Sequence, residues 1–322
     1  MSLAEKKTIF EKSRKPAESV LLSFRGVDGF DVYNCSTPFE WNGRRYIYGR
    51  VEKREEWARS WVRLFEESGR DEYTLVKDSM IYQLEDPFIS FIKDEIVLGG
   101  THVRYSRNRI STYYGYFYRG TDLADLRYFT TGPDYMKDIR LVDTPSGIGV
   151  FSRPRNKEIE EKYGSASIVG FTLLPDLDSL DGEAIAGAKM IPGLFGSGEW
   201  GGCNQCFYLD SGLIGVIGHK SYTAPGDPPL AVYMNVSFVF DPAQNRIMDE
   251  KILATRSSYP SYAAKKPELA DCTFTSGIVM RKDGRADLYG GLGDAGQGRV
   301  VIEYPFEGYG KMVTGAVPTK NS

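Results

Sequence analysis

The sequence is poor in the two residue types that most often carry metal or redox chemistry. It contains four cysteines and two histidines in 322 residues. Only Cys203 and Cys206 have the C-x-x-C spacing of a zinc or redox motif. Cys35 and Cys272 stand alone, without the second close pair that a structural zinc site usually shows. We therefore expect buried, reduced thiols and no metal site.

The sequence also lacks a charge excess and long apolar runs. Its net charge of −3 gives no electrostatic basis for a nucleic-acid or membrane partner. No run approaches the length of a membrane span, and the N-terminus lacks the apolar core of a signal peptide. There is no Walker loop, and the glycine-rich residues 290–294 follow a strand with no helix after it. We expect a cytoplasmic protein without a nucleotide cofactor. The oligomeric state is left open.

Glu85-Asp86-Pro87 is the most unusual local stretch. Two adjacent carboxylates and a proline form strands poorly, yet they stand directly before a predicted strand. A solvated turn is the simplest interpretation of an isolated Asp-Pro. The same layout recurs four more times along the chain, and this repetition favours a role beyond a turn.

The recurring unit is a polar anchor, a strand, a tight turn and a second strand with a polar end. The anchors are 52, 52, 66 and 67 residues apart, at Asn34, Asp86, Asp138, Asn204 and Asp271. In the first four units the second polar end follows its anchor by 15 or 16 residues. That distance fits a hairpin whose two polar ends meet at one edge. Five such sheets around an axis predict an all-β fold, a five-bladed β-propeller.

We predict one domain over residues 1–322, with blades that start near 34, 86, 138, 204 and 271. Residues 1–20 are charged and aperiodic, so they form a peripheral segment. Residues 21–24 are predicted to be a strand that closes the ring against the last blade. Residues 61–65 are predicted to be the third strand of the first blade rather than part of a helix.

Polar strand ends of a propeller converge on one funnel. The predicted lining consists of Asn34, Arg50, Asp86, His102, Lys137, Arg153, Asn204, His219 and Asp271, with Glu85, Arg104, Asp138, Lys220 and Asp294 close by. Buried charges of both signs are costly unless they pair or meet a ligand, so a purely structural network is one interpretation.

The other interpretation is catalytic. Lys137, Arg153 and His219 lie on consecutive blades, and three donors aimed at one point suit an oxyanion such as phosphate. A carboxylic acid opposite them could protonate a leaving oxygen. Ordinary glycosidases need two carboxylates, but one is enough when phosphate replaces the activated water. The pattern therefore indicates glycoside phosphorolysis.

Several of these motifs resemble those of glycoside hydrolase family 130, the β-mannoside phosphorylases. Glu85-Asp86-Pro87 is similar to the family's Glu-Asp-Pro-Arg motif, with Phe88 in place of arginine. Lys137-Asp138 and the later Phe151-Ser152-Arg153-Pro154 are similar to its Lys-Asp … His-Arg-Pro segment, with Ser152 in place of histidine.

Further positions extend the resemblance. Ile217-Gly218-His219 matches the family's Tyr-His-Gly strand end, and residues 289–294 match its Tyr-Gly-Ala-Ala-Asp. Asn34 and Arg50 fit its Asn-Pro and Tyr-Arg positions. Over roughly residues 30–305 the chain resembles glycosyltransferase family 108 still more closely. Members of that family are mannosyltransferase-phosphorylases that build and degrade β-1,2-linked mannan.

The resemblance implies a role for each matched residue. Asp86 would be the general acid, acting directly or through a sugar hydroxyl. Lys137, Arg153 and His219 would hold phosphate, and Asn34, Arg50 and Asp294 would hold the mannosyl unit. The remaining predicted substrate-binding residues are Glu85, Arg104, Asp138, Asn204 and Asp271. The implied reaction is inverting: a β-mannoside and phosphate, as co-substrate, give α-mannose 1-phosphate, without a metal or another cofactor.

Three alternatives remain open from the sequence. A hydrolase of the same fold would need a second carboxylate to activate water, and Asp138 or Asp271 could serve. A non-catalytic sugar-binding propeller would use Asp86 only as a hydrogen-bond acceptor. A nucleotide sugar could replace mannose 1-phosphate as donor, although no nucleotide-binding motif supports it.

Overall fold

The computed structural model describes residues 1–14 and 17–313 of the chain. Residues 15–16 and 314–322 lie outside the described residues, so the corresponding parts of the predicted domain and of the predicted peripheral segment do too. Five separate sheets form the blades of the fold. The predicted all-β class and five-bladed β-propeller are confirmed.

The N-terminal part closes the ring. After helix α1 (Leu3–Ser13), strand β1 (Ser19–Leu21) pairs with the last strand of the fifth blade. Strand β2 (Ser23–Arg25) then runs parallel to an edge strand of the first blade. The predicted closing strand at 21–24 is therefore present as two short strands, which add to both blades that meet at the closure.

Apart from β1, β2 and β4, each blade is an antiparallel sheet of strands taken in chain order, and β4 pairs with β5 beside the main path of the first blade. The first blade contains β3 (Asp31–Tyr33), β4 (Phe39–Trp41), β5 (Arg44–Glu52), β6 (Trp61–Gly69) and β7 (Glu72–Leu75). The second contains β8 (Glu85–Ile92), β9 (Glu95–Ser106), β10 (Arg109–Gly120) and β11 (Arg127–Thr131). The third contains β12 (Arg140–Thr144), β13 (Gly147–Ser152), β14 (Gly170–Leu174) and β15 (Lys189–Met190). The fourth contains β16 (Glu199–Tyr208), β17 (Ile214–Ala224), β18 (Leu230–Asp241) and β19 (Arg246–Ala254). The fifth contains β20 (Thr273–Met280), β21 (Ala286–Leu292) and β22 (Gly296–Ile302).

Two short helices, α2 (Lys157–Tyr163) and α3 (Gly182–Ala186), lie in the longer connections of the third blade. They account for the wider spacing between the third and fourth anchors. Single 3₁₀ turns occur at Leu177–Ser179, Arg256–Ser258 and Pro267–Leu269. None of the helices in the described part of the chain is long and apolar enough to cross a membrane.

The core is divided among the blade interfaces. Within the described residues there are five buried hydrophobic clusters, and each draws mainly on strands of two adjacent blades. Between the second and third blades, for example, Phe88 and Phe117 pack with Leu141 and Val150. Apolar packing therefore holds neighbouring blades together, while the polar strand ends are left for the centre of the ring.

Three of the repeating anchors share a backbone conformation that few residues adopt. Asn34, Asp86 and Asp138 have φ angles of 45°, 49° and 52°, in the left-handed region. Asn and Asp tolerate this region better than other non-glycine residues because their short polar side chains bond locally. The repeat visible in the sequence is thus partly a backbone requirement. Asn204 lies instead at a β-bulge between Cys203 and Gln205.

A buried charge interaction reinforces the ring closure. The Arg299 guanidinium of the fifth blade donates to both carboxylate oxygens of Asp71 in the first blade, at 2.5 and 2.8 Å. The Arg299 side chain is only 5% exposed. Because Asp71 has a φ of 63°, asparagine can replace it without backbone strain.

We predict that Asp71→Asn weakens this closure by about 1.5–3 kcal/mol, the typical contribution of a hydrogen bond to a charged group. The measurement is the free energy of unfolding in urea. Asp283→Asn is the matched control, because the Asp283–Arg285 pair is about half exposed and such pairs contribute at most about 1 kcal/mol. Equal effects of both substitutions would contradict a special role for the closure pair.

Candidate active site

Asp86 lies where three blades meet. Its Oδ1 accepts hydrogen bonds from Arg50 Nη1 at 2.9 Å and from Asn34 Nδ2 at 3.0 Å. Asn34 Nδ2 also donates to Asp294 Oδ1 at 3.2 Å. The structure thus brings together four predicted site residues from the first, second and fifth blades. Both donors to Asp86 bind the same oxygen, Oδ1, and neither binds Oδ2.

Glu85 connects this group to a second cation. Arg50 Nη2 donates to Glu85 Oε1 at 3.0 Å, and Lys137 Nζ donates to Glu85 Oε2 at 2.9 Å. Burial alone would lower the pKa of Arg50 and of Lys137, but the nearby carboxylates, Glu85 foremost, raise both. Both side chains are therefore cationic at neutral pH. Burial raises the pKa of Asp294 and Asp86 adds to this rise, against the opposing effect of Arg50.

Glu52 forms a layer behind Arg50 that the sequence did not reveal. It is fully buried, accepts from Tyr33 Oη at 2.5 Å and forms an ion pair with Lys265. Burial would raise its pKa, but the Arg50 charge and the Lys265 and Tyr33 hydrogen bonds lower it. Ser60 joins the two layers, because it donates to Glu52 Oε1 at 3.1 Å and accepts from Arg50 Nε at 2.7 Å.

A second group, on the third and fourth blades, surrounds Arg153. Its Nη1 donates to Asp138 Oδ2 at 2.8 Å, and its Nε donates to the Gly201 carbonyl at 2.5 Å. Arg140 lies beside it, with Nε donating to the Asn204 carbonyl at 2.9 Å and the guanidinium 4.6 Å from the Phe88 ring centre. Burial lowers the pKa of Arg140, and Asp138 and Asp86 oppose this shift. Arg140 is thus the link between the two groups.

His219 differs from the cationic donor that the sequence suggested. Its Nδ1 lies 2.8 Å from Asn204 Oδ1, and its ring packs between Tyr233 and Phe274. Burial lowers its pKa well below 6.5, and Arg153 and Arg140 lower it further. The imidazole is therefore neutral at physiological pH. Lys137, Arg153 and His219 are each held by a different partner, namely Glu85, Asp138 and Asn204.

Four predicted funnel residues are not part of these groups. His102 is partly buried, its Nδ1 lies 3.0 Å from the Gln83 carbonyl oxygen, and its ring stacks on Tyr116. Asp271 stands just before β20 and forms an ion pair with Lys7 of α1 at 3.0 Å. Arg104 is exposed, and within the described residues its side chain makes no hydrogen bond or ion pair. Lys220 pairs with Glu199 and Glu250, at 3.2 and 2.9 Å. In the fifth blade the β-bulge between Thr275 and Gly277, rather than Asp271, marks the irregular inner strand.

The cysteines are free thiols. Burial raises the pKa of Cys35, Cys203 and Cys272 well above the ordinary value, so these groups stay protonated. Among residues 1–14 and 17–313, no three His, Cys, Asp or Glu side chains are grouped so that they could hold a metal ion.

The fold and this centre define a five-bladed β-propeller with a buried, charged site at its axis. The chain belongs to the family described as "Protein of unknown function (DUF1861)", which matches residues 8–308. It is 51% identical to MPT-4, a mannose phosphorylase from Leishmania mexicana solved in complex with a phosphate ion. That alignment has a TM-score of 0.91 and covers 97% of this chain and 96% of MPT-4.

A second relative from the same organism has a different activity. MPT-1, a GDP-Man-dependent mannosyltransferase from Leishmania mexicana, is 45% identical, with a TM-score of 0.90 and 97% of each chain covered. A β-1,2-mannobiose phosphorylase from Listeria innocua shares the fold, with 15% identity, a TM-score of 0.60, and 86% and 91% of the two chains covered. No curated protein matches this chain. The predicted membership of a group of mannosyl-transferring enzymes is confirmed.

We predict that Glu52→Gln destabilises the protein by about 3 kcal/mol or more at pH 7, because it leaves Lys265 and Arg50 buried with less counter-charge. The folded-state pKa of Glu52 is below its ordinary 4.5, so its stabilisation is present above that pH and is lost as the pH falls. The free energies of unfolding of wild type and variant, measured in urea at pH 7 and pH 3.5, should therefore differ less at pH 3.5.

The exposed Glu40 on β4 provides the control, because Glu40→Gln changes the same chemical group without a buried partner. If the difference in the free energy of unfolding between wild type and Glu52→Gln does not change with pH, the assigned charge interaction is contradicted.

Proposed function

We propose that the protein catalyses the reversible phosphorolysis of a β-mannoside, with β-1,2-linked mannooligosaccharides as the substrate. A β-mannoside and phosphate give α-mannose 1-phosphate and a shorter chain, and the reverse reaction elongates the chain. The observation that carries the proposal is 51% identity over 97% of the chain to a mannose phosphorylase solved with phosphate. The cytoplasmic location and the lack of a cofactor other than phosphate stay predictions.

The geometry around Asp86 supports its role as the general acid. Phosphate attacks the anomeric carbon, the bond from that carbon to the glycosidic oxygen breaks, and the leaving oxygen takes a proton. Both protein donors bind Asp86 Oδ1, so the acidic proton belongs on Oδ2. Asn34, Arg50 and Asp294, in the same network, are proposed to bind the mannosyl unit.

The attacking anion is proposed to lie beside Arg153. A guanidinium suits a phosphate oxygen because it presents donors in a planar fork. We assign Lys137 and His219 to the same anion, and Glu85, Asp138 and Asn204 to supporting positions around the substrate. Asp271 and Arg104 stay predicted substrate-binding residues, but their surroundings give this role no support.

The hydrolase alternative has less support. It needs a second carboxylate that can take a proton from water. Asp138 is bonded to Arg153 at 2.8 Å, and Asp271 is paired with Lys7 at 3.0 Å. A carboxylate oxygen that already accepts from a cation is less free to take a proton from water, so neither side chain is well placed to activate water.

A GDP-mannose donor is the second candidate, because MPT-1 is 45% identical and is GDP-Man-dependent. The two donors can be separated with one acceptor, a short β-1,2-mannooligosaccharide. We expect release of inorganic phosphate from α-mannose 1-phosphate and a much slower release of GDP from GDP-mannose. The products are then analysed for chain length and linkage. Faster transfer from GDP-mannose would contradict the phosphorylase assignment.

For the acid, we predict that Asp86→Asn lowers turnover by on the order of a hundredfold or more, because asparagine cannot deliver the proton. Asparagine also tolerates the φ of 49° at this position. Phosphate release and thermal melting are measured together. Glu85→Gln is the matched control: it should lower the melting temperature, since Glu85 binds Arg50 and Lys137, and reduce turnover less. Near-wild-type turnover of Asp86→Asn would show that another group supplies the proton.

A further inference from the structure

The hydrogen bond between His219 and Asn204 has a defined direction. His219 is 2% exposed, and its Nδ1 lies 2.8 Å from Asn204 Oδ1. An amide oxygen can only accept a hydrogen bond, so Nδ1 must carry the hydrogen. Because the ring is neutral, its other nitrogen, Nε2, then has no hydrogen. His219 therefore presents a lone pair, a hydrogen-bond acceptor, on its Nε2 side.

The charged surroundings keep the ring in this state. The cations that act on it are Arg153, Arg140 and Arg155, and each disfavours the imidazolium. Tyr233 stacks on the ring with centroids 5.7 Å apart, and the tilted Phe274 ring contacts it with centroids 4.8 Å apart. Burial raises the pKa of Tyr233, so it stays neutral as well.

The pair also has polar atoms that lack a hydrogen-bond partner. Within the described part of the chain, His219 Nε2 and Asn204 Nδ2 are buried and make no hydrogen bond. Asp138 Oδ1 is a third buried atom without a hydrogen bond, and its nearest cation is Arg140 Nη2 at 3.7 Å. A Cβ placed on Gly202 would lie 2.8 Å from Arg153 Cδ and 3.2 Å from His219 Cε1. The arginine and the imidazole are therefore neighbours across one glycine.

We propose that this centre recognises an anion that carries a proton: hydrogen phosphate or a singly protonated phosphate monoester. The P–OH group donates to His219 Nε2, and unprotonated oxygens accept from Asn204 Nδ2 and Arg153. Sulfate has the same size but no proton at neutral pH, so its oxygens face a lone pair and a carboxylate oxygen instead. This inference rests on the proposed phosphorylase function, and it extends that function to the protonation state of the substrate.

The inference also bears on which mannosyl donor the protein uses. The phosphates of a nucleoside diphosphate sugar are diesterified and carry no P–OH group. A hydrogen-bond acceptor at the anion site therefore disfavours nucleoside diphosphate sugars relative to α-mannose 1-phosphate. A neutral histidine is thus a specificity-determining group here, and it differs from the cationic phosphate ligand that the sequence pattern alone suggested.

The first test is calorimetric titration of the wild-type protein with phosphate, arsenate and sulfate at pH 7. We expect phosphate and arsenate, which both carry a proton, to bind at least about tenfold more tightly than sulfate, because an unsatisfied buried acceptor is costly. Equal affinity for sulfate and phosphate, together with phosphate-dependent turnover, would overturn this inference and leave the proposed function intact. Absence of binding and of turnover with all three anions would overturn both.

Two substitutions separate recognition from a structural effect. In His219→Gln the side-chain amide can donate as well as accept, so the phosphate-to-sulfate affinity ratio should fall toward one. Arg153→Ala, the matched control, should lower the affinity for both anions by tenfold or more and leave the phosphate-to-sulfate affinity ratio unchanged. A ratio that falls equally in both variants would contradict the proposal.

A pH profile gives a measurement that does not depend on variant folding. The second pKa of a phosphate monoester is about 6, whereas hydrogen phosphate keeps its proton far above neutrality. The KM for α-mannose 1-phosphate should therefore rise about tenfold per pH unit above pH 7, while the KM for phosphate changes little between pH 7 and 8.5. Parallel profiles for the two substrates would count against the inference.

Discussion

The centre of the molecule depends on the ion pairs that the buried Arg50 guanidinium forms. The guanidinium binds Asp86 and Glu85 directly and Glu52 through Ser60, so it needs carboxylates from both the first and the second blade. Removing such a charge from water is costly, and hydrophobic replacements are often equally stable. The apolar clusters between the blades already hold the ring together. We therefore infer that the ion network persists because it fixes the position of Asp86, not because the fold requires it.

The backbone of the anchors also combines a structural role with a role in the site. The anchors Asn34, Asp86 and Asp138 adopt left-handed φ angles between 45° and 52°, and the site residue Asp294, which is not an anchor, does so at 53°. Asn and Asp satisfy this conformation and also supply the polar atoms of the site. A repeat of Asn or Asp at blade spacing therefore carries structural and chemical information at once. This coincidence explains why the sequence alone predicted the propeller and brought Asn34, Asp86 and Asp294 together.

What the sequence did not reveal depends on register and on distant contacts. Asp271 follows the anchor spacing, but the fifth blade has its bulge several residues later, so the spacing does not identify the residue that faces the axis. Arg104 lies late in β9, beyond the residues of β9 that pair with β8, and its side chain is exposed. Glu52 and Lys265 are 213 residues apart, and no local pattern signals that they form a buried pair.

The centre is divided into two halves with opposite electrostatic character. The group that contains Asp86 has four carboxylates (Glu52, Glu85, Asp86 and Asp294) and three cations (Arg50, Lys137 and Lys265), whereas Arg153, Arg140 and Arg155 act on His219. Arg140 stands between the halves, against Phe88 of the second blade and the Asn204 carbonyl of the fourth. An acid that must release a proton benefits from neighbouring negative charge, and an anion that must attack benefits from neighbouring positive charge. If both halves were cationic, the acid would ionise too readily, and if both were anionic, the phosphate would be repelled. The separation of charge between adjacent blades is therefore the property that lets one carboxylic acid and one anion work at the same axis.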